Sequence, residues 1–164
     1  MFLLITVEQL LNVLYQALAA AIIGPAFAML FTVPARHLLL IALASALTRA
    51  SRAYLVALNI NMVPATFLAC VICSLIFIYF GPKFKVPRPI FTVPCIISLI
   101  PGVDAYQSLL SLSDILQNVS PDSFNTSITI LFTHGMKAIA IIFSIALGLA
   151  IPPLFFYQYR HTKL

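Results

Sequence analysis

This sequence is short of charge. Asp, Glu, Lys and Arg make up 8% of its 164 residues, whereas a soluble domain covers its surface with roughly 25%. Water is therefore not the solvent for most of this chain. The shortage is most severe among groups that do chemistry, with four acidic residues, three histidines and three cysteines in all. Paired carboxylates, a nucleophile with its base, or a metal cluster cannot be assembled from so few, and no Gly-rich cofactor loop is present. The expectation is a protein that is not an enzyme, with no catalytic residue, metal or cofactor. Cys70-Val-Ile-Cys73 has redox or metal spacing but lacks the second ligand pair of a zinc site. With Cys95 these residues lie inside apolar runs and read as helix-packing cysteines.

Apolar residues are abundant, at 62% of the chain, and the mean hydropathy is +1.09. A bilayer crossing takes about 20 apolar residues, so the chain has room for about five spans and no separate soluble domain. The pattern predicts an all-α, polytopic membrane helix bundle, a single integral domain over 1–164. Its spans fall at about 9–31 (interrupted at Gly24-Pro25), 38–58, 62–80, 90–113 and 126–156. Gly81-Pro-Lys-Phe-Lys-Val-Pro-Arg-Pro89 reads as the clearest loop, because its prolines and cations do not suit a buried helix. The N-terminal apolar run has no Lys or Arg before it and reads as a retained helix, not a signal peptide.

The net charge of +5 comes from nine scattered Lys and Arg, which form no stripe able to track nucleic acid phosphates. Their positions carry topology instead. Arg36, then Lys83, Lys85 and Arg88, then Arg160 and Lys163 mark the first connection, the third and the C-terminus. With five spans these lie on one side, and Lys- and Arg-bearing loops are cytoplasmic. The N-terminus is thus expected outside and the C-terminus in the cytoplasm.

Polar groups inside spans face protein or water, since a centred Arg or Lys costs about 2.5–3.5 kcal/mol in hydrocarbon. Ser45, Thr48, Arg49 and Arg52 share one face of the second span at i, i+3, i+4 and i+7. Two readings fit: an anion site, or Arg49 paired with a carbonyl while Arg52 snorkels outward. In the fifth span Thr133, His134, Lys137, Ser144 and Gly148 share a face, and Asp104 is the natural ion-pair partner of Lys137. His134 is either a packing residue or a proton carrier. The fourth span should break at Pro101-Gly102, where a backbone donor and a side chain are both missing. Asp104 follows in the first turn, as an amide cap or as a proton-accepting carboxylate. Arg49, Arg52 and Lys137 outweigh Asp104, which favours anions or carboxylate-bearing zwitterions as cargo.

Several stretches occur in a telling order: Gly24-Pro-Ala-Phe-Ala-Met-Leu-Phe-Thr-Val-Pro34-Ala-Arg36, Ser51-Arg52, Leu58-Asn-Ile60, Phe91-Thr-Val93, Pro101-Gly-Val-Asp-Ala-Tyr106 and Ile145-Ala-Leu-Gly-Leu-Ala-Ile-Pro152. From about Ala19 to Tyr159 the chain resembles the threonine/serine exporter family, specifically its small YjjB-like subunit. The resemblance implies a bacterial inner membrane location, a larger YjjP-like partner that completes the transporter, and energy from the proton motive force. It implies threonine, serine or a dicarboxylate such as succinate as cargo. Arg52, Gly102 and Tyr106 match the family pattern and join Arg49 and Lys137 as candidate substrate-binding residues; Asp104 and His134 are the proton-coupling candidates. The rivals are a non-transporting assembly or scaffold subunit and a channel-like pore. A reporter fused after Leu164 is expected to be active only in a cytoplasm-reporting form; activity only in the periplasm would overturn the orientation.

Overall fold

The structure is a computed structural model that describes residues 6–84, 88–117 and 121–161. It is all-α, and among the described residues there is no strand. The helices are α1 (Val7–Leu30), α2 (Leu38–Ala57), α3 (Met62–Phe84), α4 (Arg88–Ile96), α5 (Gly102–Leu116) and α6 (Pro121–His161). Short 3-10 turns at Ala35–His37 and Ile97–Leu99 precede α2 and follow α4. Four helical stretches are long and apolar enough to cross a membrane, and the broken α4–α5 pair makes up to five. The chain is a membrane-embedded helix bundle.

Two helix ends explain how α1, α2 and α3 are joined so tightly. Thr32 and Asn59 adopt left-handed conformations, with φ of 56° and 62°. At the first, Val33 N–H donates to the Ala28 carbonyl and Thr32 N–H to that of Met29, both at 3.0 Å. At the second, Ile60 N–H donates to Leu55 and Asn59 N–H to Val56. Each is a Schellman closure, which satisfies the last carbonyls of a helix without water. Asparagine tolerates this conformation well, whereas the β-branched Thr32 adopts it at a strain of about 1–3 kcal/mol.

Two expectations need correction. The Gly24-Pro25 pair does not interrupt α1, which continues through it to Leu30. Membrane helices tolerate proline where neighbours compensate for the lost bond, and here Gly24 lets the Ser45 side chain of α2 seat against the α1 backbone. Nor is Gly81–Pro89 a loop throughout, because α3 extends to Phe84 and α4 starts at Arg88. Pro89 lies in the first turn of α4, where the N–H groups have no intrahelical partner, so its missing donor forfeits nothing there. Residues 85–87 and the end of the basic tail, 162–164, lie outside the described residues. The expected break at Pro101 is present between the 3-10 turn and α5.

The chain forms two compact units, Met1–Leu99 with Ser144–Leu164, and Ile100–Phe143. In the first, the core gathers Ala28, Ile41, Cys73, Phe77, Phe91 and Cys95. The Phe77 and Phe91 rings stack at 5.6 Å, and His37 meets Phe91 edge-on at 5.3 Å. The end of α6 lies along α3: Ser144 donates to the Val63 carbonyl at 2.7 Å, Gly148 sits against Phe67 and Cys70, and Ser74 donates to Leu149 at 3.3 Å. These pairs rise together in number, so α3 and the end of α6 run parallel. Small residues and hydroxyls at such seams are how helices associate where no hydrophobic drive between them exists.

A Cβ on Gly148 would lie 2.7 Å from Cys70 Cβ and 2.8 Å from the Phe67 carbonyl oxygen. Gly148→Ala is therefore expected to destabilise the detergent-solubilised protein by about 1–3 kcal/mol in an SDS unfolding titration. Gly102→Ala, where nothing lies within 4 Å, should stay within about 0.5 kcal/mol. Equal stabilities for the two variants would show that α6 does not press on α3.

Candidate functional site

In the first unit a cavity of about 340 Å³ is bounded by Gln9, Asn12 and Gln16 of α1, Arg49 and Arg52 of α2, and Met62 of α3. Its position follows from sequence periodicity. The carboxamides recur at i, i+3 and i+7 on one face of a helix that is otherwise apolar apart from Glu8 and Tyr15, and the arginines at i and i+3 on the next. By the rise of 1.5 Å per residue, Arg49 lies about 12 Å, and Arg52 about 8 Å, inside the C-terminal end of α2.

The arginines are held by the broken helix. Arg49 Nη1 donates to the Ser98 carbonyl and Arg52 Nη1 to that of Leu99, each at 2.7 Å. Those carbonyls need a partner. The next residues are Ile100 and Pro101, the helix restarts only at Gly102, and Gly102 N–H is spent on the Ile100 carbonyl. In a membrane no water replaces a lost backbone donor, and each unsatisfied group costs several kcal/mol. The guanidinium groups supply charge-assisted bonds instead. Arg52 is 6% exposed, so it does not snorkel outward, and both arginines bond carbonyls. A guanidinium carries five N–H donors, so the bond to Ser98 leaves Arg49 the capacity to hold an anion in the cavity as well.

The second unit holds a separate cluster on α5 and the first half of α6. Asp104 Oδ1 accepts from Lys137 Nζ at 3.1 Å and lies 2.7 Å from His134 Nδ1. The Lys137–Asp104 ion pair is thus present, with His134 sharing the same oxygen. The Asp104 side chain is 12% exposed, against 43% for Lys137 and 31% for His134. One carboxylate oxygen with two nitrogens of different basicity is a place where a proton can be held and passed. Gly102 opens α5 and is exposed, as is Tyr106, one turn further on. Ser144 and Gly148 turn to α3 as described, and Thr133 is exposed. No group of three or more His, Cys, Asp or Glu among the described residues is arranged to hold a metal.

The α1 carboxamides were not among the residues singled out from sequence. Their signal was their spacing, since three amides on one face of a membrane helix are costly unless that face meets protein or water.

Comparison with known proteins gives a family. Residues 16–155 match the family model described as "Threonine/Serine exporter, ThrE". An uncharacterized protein of Haemophilus influenzae is 33% identical over 152 residues, 92% of this chain and 50% of the relative. The chain spans about half the length of that curated relative. No solved structure matches.

The ion pair of the second unit is testable by a double-mutant cycle with Asp104→Asn and Lys137→Met. Removing one partner strands the other's charge, so each single variant should cost more than its share of the double. A coupling of about 0.5–3 kcal/mol in SDS unfolding is expected, and additivity within about 0.3 kcal/mol would show that the pair contributes nothing.

Proposed function

We propose a function from one premise: this chain belongs to the threonine/serine exporter family. It is the small subunit of a secondary exporter of small carboxylate-bearing solutes, threonine and serine or a dicarboxylate such as succinate. The observation that carries this reading is the pair Arg49 and Arg52 lining one cavity in a membrane helix bundle. Two guanidinium groups inside apolar helices attract an anion of matching size, and a carboxylate fits the guanidinium fork through two parallel bonds. A volume of about 340 Å³ is at the small end of ligand sites, suited to a metabolite with some water.

The remaining roles follow from the same reading. Asp104 and His134 exchange the coupling proton, with Lys137 modulating the carboxylate or meeting cargo as it passes. Gly102 and Tyr106, at the start of α5, are further residues that cargo touches. The larger YjjP-like subunit supplies the other half of the transporter, in keeping with a relative about twice as long. The location is the bacterial inner membrane, N-terminus outside and C-terminus cytoplasmic. No residue is assigned a catalytic role.

The bonds from both arginines to carbonyls favour a second reading, in which the charges only brace the break and the chain is an assembly subunit. Counterflow in liposomes with and without the larger subunit, screening threonine, serine and succinate, separates the two. If Arg52 grips cargo, Arg52→Lys should lower transport about tenfold and Arg52→Gln about a hundredfold at equal inserted protein. If it only braces Leu99, an ammonium serves as well, and wild-type rates for Arg52→Lys would remove the residue from the site.

A further inference from the structure

We infer that Asn12 and Gln16 of α1 form the wall of the cavity that reads the end of the cargo remote from its carboxylate, and that they select a hydroxyl there. The inference rests on the reading that the arginines hold the carboxylate.

Gln16 Nε2 donates to Asn12 Oδ1 at 3.0 Å. That bond links neighbours one helical turn apart and fixes the two amides relative to each other. It consumes one donor of Gln16 and one lone pair of Asn12, and leaves the Asn12 amide nitrogen as a donor beside the Gln16 carbonyl as an acceptor. Exchanging oxygen and nitrogen on both side chains reverses the direction of the bond but leaves the same complement, one donor next to one acceptor. A hydroxyl is the group that answers both at once, since it donates and accepts through one atom.

The other end groups fit less well. An alkyl end bonds to neither amide, so it gains nothing from the pair, whereas a hydroxyl gains a bond to each. An ammonium finds a single neutral acceptor and faces the two cations of α2, with no Asp or Glu among the described residues that line the cavity. Gln9 is set apart from this pair, because its Oε1 accepts the Thr6 N–H at 3.1 Å and closes the start of α1. Its wall position is structural, and the selecting pair is Asn12 with Gln16.

The test uses the full chain in lipid nanodiscs and the rate at which phenylglyoxal modifies Arg49, read by peptide mass spectrometry. Butyrate and 3-hydroxybutyrate are the probes, equal in charge and chain length and different only in the hydroxyl. Wild-type protein should be protected by the hydroxy acid at about tenfold lower concentration, the equivalent of about 1.4 kcal/mol. In Asn12→Leu/Gln16→Leu the preference should fall to within about twofold while the butyrate midpoint stays within about twofold of wild type. Gln16→Met, which keeps the length and removes both polar atoms, should act in the same direction and guards against a folding defect in the double variant. A preference that survives in the variants, or that is absent in wild type, overturns the role of the amides while the arginine site stands. Failure of either acid to protect Arg49 in wild type overturns the carboxylate site itself, and this inference with it.

Discussion

The structure depends on how the backbone carbonyls at the break before Pro101 are satisfied. A proline in hydrocarbon removes a donor that no water can replace, and the chain answers with two guanidinium groups from a neighbouring helix, on Ser98 and Leu99. That single arrangement explains why two cations are tolerated inside an apolar span. It also ties α2 to the break, so the groups that brace the broken segment are the ones that line the cavity.

Elsewhere the first unit is held by close approach more than by bulk. Gly24 takes the Ser45 side chain, Gly148 seats against Phe67 and Cys70, and hydroxyls of Ser74 and Ser144 reach carbonyls of facing helices. These contacts are short because the residues are small, and they give each helix pair one register. The second unit uses a charge cluster instead, with Asp104 joining α5 to α6 through His134 and Lys137. Gly135 beside Ser108 on the same pair of helices repeats the small-residue device there.

Periodicity made some of the site legible and hid the rest. Arg49 and Arg52 stood out because charge in an apolar run is costly wherever the helix packs, and Asp104 with Lys137 stood out as the sole acid and the lone deep lysine in their spans. Asn12 and Gln16 carry no charge and sit near a helix end, so only the cavity gives them weight. The prolines misled at Gly24-Pro25 and Gly81-Pro82 but not at Pro101. In the first two the helix continues, at Gly24 beside a tightly seated neighbour; at Pro101 the carbonyls are met by side chains and the ladder is free to stop.

By itself the sequence determined the class of solvent, the number of apolar segments and the faces on which polar groups lie. These depend on composition and on the helical repeat, which are local properties. What those faces meet was decided only by tertiary structure. Whether a guanidinium snorkels, braces a carbonyl or lines a cavity depends on which helix lies a few ångströms away, and that distance is set by residues far off in the chain: Ser98 and Leu99 for the arginines, Ser45 for Gly24, Cys70 for Gly148.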